Sequence, residues 1–532
     1  MQLLSKISGR LLFVIVSSLL LSAAWPAAGI APLLFIALVP LLLVEDYISN
    51  EKKAGRKVRL FWYSYLCFFL FNIITTWWIY FASPFGMFGA VMANAFLMSF
   101  TFQLFHIAHQ KLGNRIAYPA LIIFWIAFEN FHMNWDLSYP WLTLGNGFAS
   151  WVNMVQWYEF TGVEGGTIWI LLANILFVLI IKSEKKNRKK QVAKFLAILI
   201  IPLLLSAAIR FNYKEESHPI EIVVVQPNVD PYNEKFSGSG NQWQLEKILK
   251  LAKPMVTSKT RLVIAPETAL PDGIWEQNLT RTPEVETIKN FISPYPGLRF
   301  LTGLTSYQIY LKGEKSSITA RPFPNGEGSS YDAYNAGMQV DADSTVQIHH
   351  KSKLVPGVEK LPFPQFFKYF ENFAIDLGGT SGSLGVQEHP SVFTGDSIIA
   401  APVICYESIY GDYVGEYVRK GANIICIMTN DGWWEDTPGY RQHCQYGRLR
   451  AIEHRRSIAR SANTGISCFI NQLGDVSQAT AWWVPVAIRQ ELNLNNKQTF
   501  YSIHGDYLGR YSTIACYFLL PFLVIISFRK KK

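Results

Sequence analysis

Three residues of this chain, Glu267, Lys351 and Cys405, each follow directly on a run that is typical of a β-strand. A cysteine that attacks a carbonyl needs a proton acceptor for its thiol, and it needs a positive charge near the oxyanion that its attack creates. Glu267 and Lys351 have the side chains for these two tasks. A site that joins all three residues predicts acyl transfer through a thioester.

The chain turns into polar residues directly after Cys405, where Tyr406 and Glu407 follow. A nucleophile at such an elbow is open to substrate, and the next backbone N–H, that of Tyr406, points toward an oxyanion. Tyr406 and Glu407 are therefore predicted to support the nucleophile. Glu359 closes the run 354–358 and is predicted as an accessory carboxylate that orders the lysine or an acceptor amine.

The other five cysteines lie in apolar runs or at the start of a helical stretch, which is typical of buried free thiols rather than of disulfides. They are Cys67, Cys426, Cys444, Cys468 and Cys516.

The chain is too apolar for a soluble protein of its length, with 50% hydrophobic and only 17% charged residues among 532. A helix needs roughly 20 apolar residues to cross a hydrocarbon core of about 30 Å. About eight transmembrane helices are predicted, near 10–25, 29–45, 60–81, 87–109, 116–132, 164–181, 193–210 and 512–528. The first run also fits a secretory signal peptide, because Lys6 and Arg10 precede it, but we favour a retained helix.

Lys and Arg collect in alternate loops, and an excess of these residues marks the cytoplasmic side of a membrane. They cluster before residue 11 and at 52–59, 111–115, 182–194 and 529–532, whereas the loop 133–163 has neither. This pattern accounts for the net charge of +10 through orientation and contact with anionic lipids, without a nucleic-acid partner.

The orientation divides the chain into three parts. Residues 1–210 form a membrane domain of seven helices, residues 211–511 an extracytoplasmic catalytic domain, and residues 512–532 a C-terminal transmembrane helix with a basic cytoplasmic tail. Short β-rich runs alternate with amphipathic stretches in 211–511, as in α/β domains. Helices are predicted there at 242–255, 283–292, 411–420 and 443–461.

Four motifs around these residues resemble the nitrilase superfamily with its Glu-Lys-Cys triad, and more narrowly the bacterial apolipoprotein N-acyltransferase family. The family's P-E-T-A-L-P, K-x-x-L-V-P-x-x-E, I-C-Y-E and T-N-D-x-W motifs read here as Pro266–Pro271, Lys351–Glu359, Ile404–Glu407 and Thr429–Trp433. They occur in the family's order, and the resemblance covers nearly the whole chain.

The resemblance implies a nitrilase-like αββα sandwich carried by a polytopic helical membrane domain in the bacterial inner membrane, with the catalytic domain facing the periplasm. It also implies a ping-pong acyltransferase. Cys405 takes the sn-1 acyl group of a phospholipid, phosphatidylethanolamine being the expected donor, and passes it to the α-amino group of diacylglyceryl-cysteine in an apolipoprotein. Glu267 moves the protons, and Lys351 with the Tyr406 N–H stabilises the oxyanions.

Substrate contacts are expected from Phe236, Asn430, Trp433 and Trp434. Two departures from the family pattern affect this region: Phe236 stands where a tryptophan is frequent, and Gly357-Val358 replaces Phe-Gly. Neither change removes a member of the triad, so the departures bear on substrate fit and not on the type of reaction.

Two rival functions remain open for the sequence. A membrane-anchored amidase or other hydrolase would use the same triad with water as acceptor, but it does not need seven preceding helices. A transporter or a lipid-binding receptor would keep the helices but has no use for the triad, and the apolar segments, apart from Glu129, are expected to lack the buried charges of a carrier. No cofactor and no metal site are predicted, because no His, Cys and Asp spacing resembles a zinc set. We expect a monomer.

Overall fold

The computed structural model describes residues 2–53, 58–235, 240–323, 328–343, 345–360 and 383–528. The chain divides into two compact units. One comprises Met1–Tyr80, Pro84–Tyr213 and His504–Lys532, and the other Phe81–Ser83 and Lys214–Ile503.

Apolar helices dominate the first unit. Among the described residues, the α-helices before the first strand are α1 (Gln2–Ser5), α2 (Ile7–Ala23), α3 (Leu34–Ala37), α4 (Val39–Lys53), α5 (Phe61–Thr76), α6 (Ile79–Ala82), α7 (Pro84–Leu112), α8 (Asn114–Met133), α9 (Tyr158–Lys182) and α10 (Lys185–Asn212). A last helix follows the second unit at Tyr507–Phe528. Gly113, at φ 71°, separates α7 from α8, and α9 is broken at Gly162, whose φ is 59° and ψ −166°.

Six helical segments in the described part of the chain are long and apolar enough to cross a membrane. They are Ala31–Lys52, Pro84–Leu112, Asn114–Met133, Tyr158–Lys182, Lys185–Asn212 and Tyr507–Ser527, and two shorter apolar helices are Ile7–Ala23 and Phe61–Thr76. The polytopic helical domain is thereby confirmed, while the count of eight spans stays a prediction.

The expectation that the apolar segments lack buried charges other than Glu129 is wrong for α4. Glu45 is only 1% exposed, and its carboxylate lies 2.7 Å from His106 Nδ1 and 2.8 Å from His109 Nδ1. Two imidazole rings on α7 give the carboxylate hydrogen-bonding partners inside the unit, which compensates for its loss of water.

Two β-sheets form the second unit. The larger sheet has the order β14 (Val486–Asn493), β1 (Pro219–Gln226), β2 (Thr260–Ile264), β4 (Arg299–Tyr310), β6 (Ser330–Val340) and β5 (Arg321–Pro322), with β3 (Leu270–Trp275) paired to β4 and β7 (Val346–His350) paired to β6. The smaller sheet has the order β13 (Val476–Ser477), β12 (Cys468–Ile470), β11 (Ile458–Ala462), β10 (Ile424–Thr429), β9 (Ile398–Ile404) and β8 (Phe393–Gly395).

Alternate residues of the larger sheet belong to two different cores, as the two-residue period of a strand requires. Val223 and Val263 pack with residues of α11 (Gly240–Ala252) and α12 (Pro283–Ile292). Ile222 and Ile264 pack with residues of β9 and β10 in the smaller sheet. Further α-helices in the described residues are α13 (Gly411–Arg419), α14 (Pro438–His454) and α15 (Phe500–His504), of which the last ends one residue beyond the second unit. The nitrilase-like αββα sandwich is confirmed.

The predicted helix at 443–461 is wrong in its last third. Helix α14 ends at His454, because Arg455 takes a left-handed conformation with φ 47°, and β11 begins at Ile458. The segment Ile458–Ala462 is fully buried and pairs with β10 and β12, so tertiary burial overrides a locally helical pattern.

Candidate active site

Glu267, Lys351 and Cys405, the three predicted catalytic residues, each follow the end of a strand, and both sheets contribute. Glu267 follows β2 by three residues and Lys351 follows β7 directly, both in the larger sheet, whereas Cys405 follows β9 in the smaller sheet. Glu267, Cys405 and Asn430 follow the carboxyl ends of β2, β9 and β10, and each of these strands has a parallel neighbour in its own sheet. The carboxyl ends of strands are where open α/β sheets bind their ligands.

Glu267 is the centre of the hydrogen-bonded cluster and is 5% exposed. Its Oε1 accepts hydrogen bonds from Lys351 Nζ at 2.9 Å and from Asn335 Nδ2 at 2.8 Å, and its Oε2 accepts one from the Asn430 backbone N–H at 3.0 Å. Burial acts to raise the pKa of Glu267, but the charge and hydrogen bond of Lys351, with Asn335, outweigh it and hold the pKa below its ordinary value. The carboxyl group is thus ionised and ready to take a proton.

Lys351 is 1% exposed and lies between two carboxylates. Besides Glu267, its Nζ donates to Glu359 Oε1 at 2.8 Å, and its backbone N–H donates to the Asn335 carbonyl at 2.8 Å. Burial acts to lower the pKa of Lys351, but Glu267, Glu359 and Cys405 raise it well above its ordinary value. The lysine therefore carries a fixed positive charge.

Cys405 occupies a strained elbow at the start of a short 3₁₀ helix, Cys405–Ile409. Its φ of 47° lies in the left-handed region, which costs a non-glycine residue about 1–3 kcal/mol and concentrates at functional sites. Burial and the charge of Glu267 raise the pKa of the thiol well above its ordinary value, against the opposing effect of Lys351. Cys405 thus rests as a neutral thiol, which would need a base in order to react.

The backbone at Glu267 packs so closely against β4 that position 303 has no room for a side chain. A Cβ added to Gly303 of β4 would lie 2.6 Å from the Cα of Glu267. The Gly303 N–H donates to the Pro266 carbonyl at 3.1 Å, and Thr268 has a φ of 47°. The glycine allows β4 to fix the main chain that carries the carboxylate.

Glu407 connects the chain at Cys405 to the chain at Lys351 through backbone hydrogen bonds. Its Oε2 accepts the N–H of Ile404 at 2.8 Å and its Oε1 the N–H of Ser352 at 2.7 Å. Tyr413 donates its hydroxyl to the same carboxylate at 2.9 Å, and the His349 ring lies 3.5 Å away. Because Ile404 and Ser352 are the chain neighbours of Cys405 and Lys351, one buried carboxylate sets the spacing of the two groups.

Glu407→Gln is expected to destabilise the second unit, because an amide has only one oxygen for donors that the carboxylate now satisfies with two. Each buried donor left unpaired costs about 1–3 kcal/mol. Burial acts to raise the pKa of Glu407, but His349 and the two backbone N–H groups hold it below its ordinary value. The stabilisation is therefore complete above the pKa of a free carboxyl and is lost as the pH falls through the lower native value.

The melting temperature of the wild type and of Glu407→Gln, measured in the same detergent at pH 7, tests this expectation. The control is Glu416→Gln on α13, a partly exposed residue beside the exposed His389, which is expected to change stability by less than about 0.5 kcal/mol. Equal melting temperatures for the two variants would contradict the role given to Glu407.

The remaining predicted residues lie around this cluster. Glu359 is held by Asn335 Nδ2 at 3.0 Å and by the Val355 N–H at 2.8 Å. Asn430 contacts Glu267 through its backbone, while its side chain accepts from Asn463. Tyr406 is buried, and its ring packs edge-on against Tyr410.

The two tryptophans predicted to contact substrate are half-buried on the short 3₁₀ helix Asp431–Trp434. Trp433 packs against the ring of Tyr232, and Trp434 packs against the ring of His443. Phe236 lies outside the described residues.

Several residues of the site were not found from the sequence. Asn335 bridges the two carboxylates Glu267 and Glu359, and in the sequence it is only one of two amide residues within the strand-like run 333–340. Lys235 donates its Nζ to the Glu267 carbonyl at 2.9 Å. In the sequence, Lys235 is only a lysine that follows a strand-like run, and lysines are common in exposed loops.

A buried cluster of charged and polar side chains contacts the backbone of Cys405. Asp431 contacts the guanidinium of Arg460 at 2.6 Å and the ring of His443 at 2.9 Å, and His443 Nε2 lies 3.2 Å from the Cys405 carbonyl. Burial acts to raise the pKa of Asp431, but Arg460 and His443 depress it strongly. In the described part of the chain, no group of three or more His, Cys, Asp or Glu side chains could hold a metal ion.

The six cysteines are all free and buried, as predicted for the five outside the site.

Comparison with known proteins gives two family matches that together span most of the chain. Residues 17–176 match the apolipoprotein N-acyltransferase N-terminal domain, and residues 224–496 match the carbon-nitrogen hydrolase family. Among solved structures, a nitrilase-superfamily protein of Saccharomyces cerevisiae is 14% identical with a TM-score of 0.36, covering 55% of this chain and 95% of that one. An amidase from Nesterenkonia sp. is 13% identical with a TM-score of 0.36, covering 55% and 95%.

Two curated relatives match over nearly their full length. The apolipoprotein N-acyltransferase of Chlorobaculum tepidum is 32% identical over 519 residues, which is 94% of each chain. That of Geobacter metallireducens is 23% identical over 98% of this chain and 95% of the relative. With identity at this level from end to end, and with a match in both domains, the chain belongs to the apolipoprotein N-acyltransferase family.

Proposed function

We propose that this protein moves a fatty acyl group from the sn-1 position of a membrane phospholipid, with phosphatidylethanolamine as donor, to the N-terminal α-amino group of diacylglyceryl-cysteine in an apolipoprotein. The observation that carries the proposal is the buried contact of Glu267 with Lys351 beside a strained Cys405, in a carbon-nitrogen hydrolase domain of a chain that also has the family's membrane domain. We assign Cys405 as nucleophile, Glu267 as general base and acid, and Lys351 as the oxyanion cation.

The first half-reaction begins with a neutral thiol and an ionised carboxylate. As Sγ of Cys405 bonds to the ester carbonyl carbon, its proton passes to Glu267. The tetrahedral intermediate then breaks its bond to the glycerol oxygen, which takes the proton from Glu267. The products are a thioester on Cys405 and a lysophospholipid.

The second half-reaction reverses the direction of proton flow. The α-amino nitrogen bonds to the thioester carbon, and Glu267 accepts a proton from that nitrogen. When the C–S bond breaks, the sulfur takes the proton and the thiol is restored. The acyl group ends in an amide, and no water is consumed.

Transfer of the proton from Cys405 to Glu267 would by itself be unfavourable in free energy, since the pKa of Cys405 is raised and that of Glu267 is lowered. Lys351 resolves this difficulty. When Glu267 is protonated, the lysine loses one of its two anionic partners at the moment when negative charge develops on the carbonyl oxygen. The ammonium group and the Tyr406 N–H can then stabilise the oxyanion, while Glu359 keeps the lysine charged.

The membrane domain supplies what a water-soluble hydrolase lacks. Both acyl donor and acceptor are lipids, and moving an acyl chain into water costs about 0.8 kcal/mol for each methylene. We place residues 211–511 on the extracytoplasmic face of the bacterial inner membrane, because the basic residues collect in the alternate loops and in the C-terminal tail. We expect the protein to work as a monomer.

The test is intact-mass analysis of the purified protein in phospholipid micelles. The wild type and Cys516→Ala, which alters a thiol of the C-terminal helix, are expected to gain the mass of one acyl group, and Cys405→Ala is expected to gain none. Adding a diacylated lipopeptide is expected to remove the adduct and yield the triacylated peptide.

Three results would count against the proposal. An unmodified wild type would exclude the thioester, an adduct on Cys405→Ala would move the nucleophile elsewhere, and release of free fatty acid with no triacylated peptide would assign a hydrolase.

A further inference from the structure

Lys235 is a buried lysine that directly contacts the backbone of the proposed base. It is 2% exposed, and its Nζ donates to the carbonyl oxygen of Glu267 at 2.9 Å. Burying an ammonium group costs several kcal/mol unless neighbouring charges and acceptors compensate. A chain that needed only packing at this position would be more stable with an apolar residue, so the lysine requires an explanation.

The loop that carries Lys235 is organised by one aspartate. The Asp230 side chain accepts the N–H groups of Tyr232 and Asn233, and the Asp230 carbonyl accepts those of Glu234 and Lys235. Gln244 of α11 donates to the Lys235 carbonyl at 2.9 Å. Hydrogen bonds therefore hold both the N–H and the carbonyl of Lys235, and its side chain extends from this hydrogen-bonded turn to Glu267.

Lys235 adds a second cation to the contact cluster of Glu267, Glu359 and Lys351. Glu267 and Glu359 are two anions, and Lys351 is one cation between them. Lys235 supplies the second cation, and it interacts electrostatically with both Glu267 and Cys405. The nearby Asp431 is already compensated by Arg460 and His443.

The same balance holds after attack. When the thiol proton moves to Glu267, the two anions are Glu359 and the oxyanion, and the two cations are unchanged. Without Lys235, the oxyanion, Glu359 and Lys351 would together carry one net negative charge. Such a charge is costly in a low-dielectric interior.

We propose that Lys235 is a positioning residue of the acyl-transfer site, which fixes the main chain of Glu267 and supplies the second positive charge that thioester formation requires. This inference rests on the proposed function, because it assigns a role within the same first half-reaction. The lowered pKa of Lys235, brought by burial to about 8 against the attraction of Glu267 and Cys405, keeps the lysine mainly protonated at pH 7.

Three variants separate the charge from the hydrogen bond. Lys235→Met removes both, Lys235→Gln retains a donor without charge, and Lys235→Arg retains the charge. The control is Lys250→Met, which changes an exposed lysine on α11. Thioester formation is followed by intact mass in phospholipid micelles over a range of pH, and the melting temperature of each variant is recorded.

The expected result is a loss of about 10²-fold in the thioester-formation rate for Lys235→Met, the size of effect that a misplaced catalytic group produces. The acid limb of the pH–rate profile of Lys235→Met is expected to move to higher pH by about one unit, because loss of a nearby cation raises the pKa of Glu267. Lys235→Gln is expected to show the same shift. Lys235→Arg is expected to keep the wild-type acid limb and to titrate no group near pH 8.

Wild-type rates in Lys235→Met, or in Lys235→Gln if the methionine variant does not fold, would overturn the inference while leaving the proposed function intact. Equal losses in all three variants with an unchanged acid limb would also overturn it, since they would indicate packing alone. A wild type that forms no adduct would instead overturn the proposed function, and the role of Lys235 with it.

Discussion

Glu267→Gln is expected to slow thioester formation by about 10²–10⁴-fold, the usual contribution of a positioned general base. The amide keeps the shape of the side chain and can still accept from Lys351 and Asn335, but it cannot take the proton of Cys405. Because the pKa of that thiol is raised, no significant fraction of thiolate is available to react without a base. The loss should therefore appear in the chemical step and not in phospholipid binding.

The pH profile provides the second part of this prediction. The wild-type acid limb should lie below the ordinary carboxyl value of 4.5, because Lys351 and its hydrogen bond lower the pKa of Glu267 despite its burial. Glu267→Gln should have no such limb. Single-turnover formation of the adduct, followed by intact mass between pH 3 and pH 8, measures both effects. The matched control is Glu286→Gln on the exposed face of α12, which should behave as the wild type. A Glu267→Gln variant that retained more than about a tenth of the rate would assign the proton to another group.

Lys351→Met is expected to reduce the rates of both half-reactions by about 10²–10³-fold, as removal of one oxyanion donor does in acyl transfer. A second effect follows from the geometry. The Nζ atom separates two carboxylates, with 2.9 Å to Glu267 and 2.8 Å to Glu359. Without it, two like charges share a buried site, and one carboxyl pKa must rise. The acid limb should therefore move toward neutral pH.

Stability should also fall in Lys351→Met, by about 3–5 kcal/mol, because a buried ion pair loses one partner. Thermal unfolding in detergent and the two half-reaction rates, measured on one preparation, separate folding from chemistry. Lys353→Met is the matched control, since Lys353 lies two positions away with its Nζ 5.2 Å from the centre of the Tyr410 ring. It should retain at least about a tenth of the activity. If Lys351→Met formed the thioester as fast as this control, the lysine would have no part in stabilising the oxyanion.

The residues that sequence reasoning found share one property: each follows a strand-like run and carries a reactive group. Glu267, Lys351 and Cys405 could be predicted for this reason. Asn335 could not, because it lies within β6, where a neutral amide carries no chemical signal. Its importance arises only when β6 is placed beside Glu267 and Glu359.

Burial of charge was the other source of error. Arg450 and Glu453 have the three-residue spacing that is typical of an exposed pair on a helix surface, but both are fully buried and lie 2.6 Å apart. Their spacing of three residues fits a helix in either environment, and a single sequence does not indicate which face of α14 is covered. The misassigned β11 has the same origin, because its neighbours β10 and β12, rather than its own residues, determine its conformation.

The division of the site between the two sheets has a mechanical consequence. Glu267 and Lys351 move with the larger sheet, whereas Cys405 moves with the smaller one, so any sliding of one layer over the other changes the path of the transferred proton. The space between the layers is narrow: a Cβ on Gly337 of β6 would lie 2.8 Å from the methyl carbon of Met428 on β10. The apolar residues between the two sheets, such as Met428, therefore determine how Glu267 and Lys351 are aligned with Cys405. We expect small changes in this layer to lower the turnover rate before they lower the stability.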